Sequence, residues 1–192
     1  MNPKVKRSIK FSVIIAVITF VLAAIFSVIS SSILGQVMWG VGLGVVFVIV
    51  LIGIFFDMLG VASTAANEAP LHAMAAEKVP GAKEAVIIIR NADKFSSFCN
   101  DVIGDISGIV SGTASAIVVL EIADIFQSYD ETTTQIIVSV LLTSFVAAVT
   151  VGGKALGKYF AIRASTNIVF STGKFIAFVE SKFKLRLLPK GK

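Results

Sequence analysis

Between Lys10 and Asp57 the chain carries no charged side chain at all. A helix crosses a hydrocarbon core about 30 Å thick with roughly 20 apolar residues. Lipid offers backbone groups no hydrogen-bond partner, so such a run must be helical wherever it meets the acyl region. The uncharged stretch is long enough for two crossings and a tight turn. Ser30-Ser31-Ser32 and Gly35-Gln36 mark that turn, which predicts spans over 11–33 and 37–60. The first run is too long for the apolar core of a signal peptide, and no small-residue cleavage site leads into polar sequence. It is expected to remain as a span.

The rest of the chain agrees with this reading. Of its 192 residues, 56% are hydrophobic and 15% charged, against about 45–50% and about 25% in soluble domains. Mean hydropathy is +0.91. That balance excludes a soluble globular enzyme and a disordered chain. The single cysteine, Cys99, leaves no internal disulfide framework.

A more polar segment over 65–97 follows the second span, broken by Pro80-Gly81. Its two halves carry partial apolar faces, Leu71, Met74 and Val79, then Val86, Ile87, Ile89 and Phe95. They read as short juxtamembrane helices, the first with Asn67 as its cap and Pro70 in its first turn. A third span is predicted over 98–122, an acidic loop over 124–134, and a fourth span over 135–156. The stretch 164–183 has Ile168, Phe175, Ile176, Val179 and Phe183 near helical spacing. It reads as an amphipathic surface helix suited to anionic lipid headgroups. Three domains result: a basic N-terminal segment over 1–10, a transmembrane domain over 11–160, and a basic amphipathic C-terminal helix and tail over 161–192. The expected class is an all-α integral membrane protein with about four transmembrane helices.

The chain's net charge is +5, and its Lys and Arg residues are concentrated in the N-terminal segment, the middle segment and the tail. Cytoplasmic loops are enriched in Lys and Arg. With four spans, those three basic segments share one side, which places both termini in the cytoplasm and the protein in the cell (inner) membrane. The basic residues form no stripe with interleaved aromatics, so nucleic acid is not an expected partner.

Ionisable groups inside spans are costly and mark functional sites by default. Asp57, Asp101, Asp105 and Lys154 lie near the cytoplasmic ends of their spans. Asp101 and Asp105 are four apart and share a helix face, as hard oxygen ligands of a divalent cation do. Ser107, Ser111 and Thr113 add neutral oxygens. The alternative is a charge network in which Asp105 pairs with Lys154 while Asp57 and Asp101 reach interfacial water. Gly104, Gly108 and Gly112 continue the aspartate face and predict close contact with another helix or a cavity. No nucleophile–base pair, phosphate loop or zinc spacing occurs, so no enzymatic activity is expected. His72 reads as a surface residue and Cys99 as an inert buried thiol.

One stretch resembles a known family. Phe55-Phe56-Asp57 followed by Ser63-Thr64-Ala65-Ala66-Asn67-Glu68-Ala69 is similar to the transmembrane domain of the CNNM/CorB–CorC family. There a span ends in a Ser-rich, small-residue motif with a Glu, and juxtamembrane helices follow. Ile103-Gly104-Asp105 resembles that family's Ile-Gly-Asn-like motif, and Gly153-Lys154-Ala155-Leu156-Gly157-Lys158 its Gly-Glu-x-x-Pro-Lys-like motif. The similarity covers about 37–185 and rests on order and spacing. It implies a dimeric transporter of Mg²⁺ or another divalent cation, here without the accompanying cystathionine-β-synthase-type domains. By position it implies metal ligands at Ser63 or Thr64 and at Asp105, with Asp101 beside it. The family's last-span Glu corresponds to Lys154, which cannot ligate a cation while charged and would serve as a charge partner. Two functions therefore stand side by side: a divalent cation transporter domain, and a transport-inactive structural or interaction protein of the same fold.

The orientation makes a direct prediction. A reporter fused after Lys192 is expected to be active only as a cytoplasmic reporter, and one inserted in 127–134 only as an external one. The opposite result at either place would separate the basic segments and undo the charge argument.

Overall fold

The computed structural model describes residues 3–35, 37–125 and 131–183, which are helical throughout apart from short turns. In chain order the helices are α1 (Pro3–Leu34), α2 (Trp39–Ala65), α3 (Glu68–Ala76), α4 (Ala82–Arg90) and α5 (Ala92–Ser97). A π-helical segment, Phe98–Gly104, then leads into α6 (Asp105–Ile125), α7 (Glu131–Arg163) and α8 (Ser165–Phe183). Four stretches are long and apolar enough to cross a membrane: Ser8–Leu34, Trp39–Ala65, Ala92–Ile122 and Gln135–Arg163. This is an all-α membrane protein architecture. Gln36 in the first turn, 126–130 of the acidic loop and the tail beyond Phe183 lie outside the described residues.

The helix ends differ from the predicted spans. Helix α1 starts at Pro3, so the basic segment 1–10 is largely the first turns of a helix. Helices α2 and α7 continue past 60 and 156 to Ala65 and Arg163. The third span opens on π-helical turns, where Cys99, Val102 and Gly104 are all buried. A π turn admits one extra residue and commonly sits at functional positions.

Two compact units organise the chain. The first comprises Met1–Ile54 and Val102–Gly153. Within it α1 runs along α6. Val102, Ile106 and Val110 receive Ile15, Leu22 and Ala23 of α1 and Ile49 of α2. A second cluster joins Leu34, Val46, Ala114 and Val118 to Leu142 and Val146 of α7. Close approach is made at particular glycines. A Cβ at Gly53 would stand 2.8 Å from that of Ser107, and one at Gly42 2.8 Å from Val118 Cγ2.

Beyond Gly104, which is buried, the glycine face expected on the third span is not the packed one. A Cβ at Gly108 or Gly112 meets nothing within 4 Å. Both are exposed, as are Asp101 and Asp105 on the same face. The contact face lies one residue earlier, about 100° round the helix, at Ser107, Ser111 and Ser115, all buried. Those serines are flanked by buried Ile106, Val110, Ala114 and Val118, whose bulk supplies the dispersion contacts that a glycine row lacks. Their hydroxyls donate to the carbonyls of Ile103, Gly108 and Ser111 at 2.8, 3.0 and 2.7 Å. Each donor is thereby satisfied within its own helix, as an apolar surrounding requires.

The second unit comprises Phe55–Asp101 and Lys154–Lys192. Its core joins Ala62 of α2, Leu71 of α3, Ala85 and Ile88 of α4, Ala161 of α7 and Val169 of α8. Asn67 caps α3, its side chain accepting from Ala69 N at 3.1 Å, and Pro70 falls in the first turn, where its missing N–H costs nothing. Asn67 N donates to Thr166 Oγ1, and Ser165 Oγ donates to Ala65 O. The turn leaving α2 is thus tied to the turn leaving α7. Gly81, at φ 85°, begins α4 in the left-handed region that favours glycine. A Cβ there would run into the Lys174 backbone, and one at Gly173 would meet the Gly81 carbonyl and Ala85 N. Helices α4 and α8 meet backbone to backbone. Of the apolar residues expected on α8, Phe175 and Phe183 are exposed, while Val169 and Gly173 are the inward ones.

These contacts order three glycines. Gly53→Leu and Gly173→Leu are expected to lower stability by about 1–3 kcal/mol through overpacking, whereas Gly108→Leu should leave it nearly unchanged. Thermal unfolding of the three variants in one detergent measures this. Equal losses would mean that the exposed face of α6 is also packed.

Candidate functional site

Within the second unit, a polar set gathers on α2 just beyond Phe56. Asp57, Gly60 and Ser63 are spaced three apart and all buried. Asp57 is only 5% exposed. Its Oδ1 lies 3.7 Å from Lys154 Nζ, an ionic rather than a hydrogen-bonding distance, and Lys154 is itself half-buried. Its Oδ2 is buried and has no hydrogen-bond partner among the described residues. One turn on, Gly60 has no side chain because the space is taken: a Cβ there would overlap the Asn100 carboxamide. Asn100 stands in the π-helical segment, and its Nδ2 donates to Ser96 Oγ at 3.3 Å. Its Oδ1 is also buried without a hydrogen-bond donor among the described residues. Ser63 Oγ donates to Gly60 O at 2.7 Å.

The carboxylate set against Lys154 is therefore Asp57, not the Asp105 that depth along the spans suggested. The reason is local. Helices α2 and α7 enter the second unit at Phe55 and Lys154, so the first polar residue of each meets the other. Asp101 and Asp105 are both exposed, and the wider π turn before Asp105 alters the register expected of an α-helical pair. Thr64 is exposed, and its hydroxyl donates to Val61 O at 2.9 Å. Thr113 likewise donates to Val110 O. Among the described residues no three or more His, Cys, Asp or Glu side chains cluster where they could hold a metal. His72 pairs with Glu68 across one helical turn at 3.6 Å and is partly exposed, as a surface histidine would be.

Asn100 is the residue that reading the sequence passed over. Its signal was indirect: a glycine one turn after a buried acid leaves room for a side chain from elsewhere. Only the packing identifies that side chain. Along this stretch stand a carboxylate (Asp57), an amide carbonyl (Asn100) and a hydroxyl (Ser63). These are hard oxygen ligands of the kind that Mg²⁺ and Ca²⁺ take, and the ammonium beside them balances the carboxylate charge.

The architecture defines a helical membrane protein with a buried Asp–Lys pair at the ends of two apolar helices. No protein-family model, curated protein or solved structure matches the chain.

The pair is measurable by a double-mutant cycle. Lys154→Ala leaves the Asp57 carboxylate buried beside no cation and is expected to cost about 3–5 kcal/mol. Adding Asp57→Asn should recover part of that loss, with a coupling on the order of 1–3 kcal/mol. Unfolding by denaturing detergent reads both. Strictly additive losses would show that the two charges do not sense each other.

Proposed function

We propose that this chain is a polytopic protein of the cell membrane that binds and moves a divalent cation, Mg²⁺ by the chemistry of its oxygens. Both termini are cytoplasmic by the distribution of Lys and Arg, and the working form is a homodimer, as the resemblance to the CNNM/CorB–CorC transmembrane domain implies. The observation that supports cation binding is the pair of orphaned acceptor oxygens, Asp57 Oδ2 and Asn100 Oδ1, buried one helical turn apart along α2. A buried acceptor without a donor costs on the order of 1–3 kcal/mol, and a cation satisfies several acceptors at once. Asp57, Asn100 and Ser63 are the ligands of this reading. They replace Asp105, Asp101 and Thr64, which stand exposed.

Lys154 gives this site a character of its own. Its ammonium already neutralises Asp57, so an entering cation competes with a tethered one. The same contact favours the second reading, a transport-inactive protein of this fold in which Lys154 is a permanent counter-charge.

Magnesium binding separates the two. Ligand that binds only the folded state raises the thermal midpoint by mass action. Added Mg²⁺ is expected to raise the midpoint of the purified protein by a few degrees, more strongly in Lys154→Ala, and not at all in Asp57→Asn. A midpoint indifferent to Mg²⁺ in both the native chain and Lys154→Ala would leave the counter-charge reading.

A further inference from the structure

Helix α8 presents two faces of opposite character. Ser165, Val169 and Gly173 are buried, and the backbone at Gly173 is pressed onto α4. The opposite side bears Phe175 and Phe178, 67% and 60% exposed. Lys182 shares that side, and Lys174, exposed although its backbone passes Gly81, stands at its margin. Lys174 Nζ lies 4.4 Å from the centre of the Phe170 ring and Lys182 Nζ 5.7 Å from that of Phe178. Each ammonium therefore rests against apolar ring surface while its head stays exposed. The single acid of α8, Glu180, is half-buried and stands on another side of the helix. Exposed phenylalanines beside lysines, with no acid among them, make a poor water-facing surface and a good interfacial one. Aromatic rings insert at the level where headgroups meet acyl chains, and Lys stems reach outward to phosphates.

Position in the chain says which surface is near. Only Ala164 separates α8 from α7, whose Gln135–Arg163 stretch is long and apolar enough to cross a membrane. The helix must therefore start within a residue or two of where that crossing ends. Beyond it the sequence continues with Lys184, Arg186, Lys190 and Lys192. We propose that the Phe175–Phe178–Lys174–Lys182 face of α8 is a docking surface for the anionic phospholipid headgroups of the leaflet at which α7 ends. The rings enter the interface and the two ammonium groups bind phosphate. The proposal is independent of the cation site and stands or falls without it.

The experiment uses the full chain in lipid nanodiscs. Trp39 is the only tryptophan, so Trp39→Phe combined with Phe175→Trp leaves one indole as the probe on α8. Brominated phosphatidylcholine and phosphatidylglycerol serve as quenchers, and acrylamide reports access from water. Expected is quenching by both lipids, with brominated phosphatidylglycerol the stronger at equal content. Lys174→Gln with Lys182→Gln should reduce that anionic preference by roughly tenfold. Lys174→Arg with Lys182→Arg should retain it, and the thermal midpoints should match because both lysines are exposed. Quenching by acrylamide alone would overturn the proposal, since the face would then look into water. Equal quenching by the two lipids would overturn the headgroup recognition. An indole shielded from every quencher, with shielding that grows with the number of chains per disc, would mean that a second copy covers the face.

Discussion

Helices already in a bilayer gain little hydrophobic free energy by leaving lipid for one another, because acyl chains are as apolar as leucine. What holds such a fold is close approach of backbones and satisfaction of the few polar groups. Both are concentrated here at identifiable places. Gly53 admits Ser107, Gly42 admits Val118, and Gly153 leaves room for Ile54. In the other unit, Gly81 and Gly173 let α4 and α8 touch through their main chains, and Gly60 yields its space to Asn100. Around these points the side chains are mostly small or β-branched, which lose little rotamer freedom on packing.

The polar groups fall into two kinds. The hydroxyls of Ser107, Ser111, Ser115 and Thr113 are turned back onto carbonyls of their own helix. They allow a slim helix surface without an unsatisfied donor. Asp57, Lys154 and Asn100 differ, since their chemistry is not closed locally. A buried ion pair is a weak source of stability compared with apolar residues of similar volume. Under the cation-binding proposal, its presence beside orphaned acceptors makes it part of a site and not a brace.

The second unit shows how local signals and long-range contacts divide the work. The Asn67 cap, the Pro70 first turn and the Pro80-Gly81 break are set by residues within a few positions of each other. The tie between the turns after α2 and α7 spans about half the chain and is made by Ser165 and Thr166 reaching Ala65 and Asn67. Those polar contacts hold α8 so that its lysine and phenylalanine side faces outward.

The sequence by itself determined the class of fold and the number of membrane-spanning helices, because the apolar length needed to cross a bilayer is a property of consecutive residues. It also determined the break of the middle segment at Pro80-Gly81, while the second half divides again at Asn91 into α4 and α5. Which face of each helix packs was decided only in three dimensions. Gly104, Gly108 and Gly112 and the intervening Ser107 and Ser111 offer equally small surfaces at equal spacing. Bulky neighbours such as Ile106 and Val110, meeting α1 and α2, made the serine face the buried one. The same holds for the site. Asp57, Asn100 and Lys154 are far apart in sequence, and depth along a span carries no information about azimuth. Asp57 and Lys154 pair, and Asn100 comes to lie over Gly60, because tertiary packing turned α2, the π-helical segment and α7 to those particular rotations.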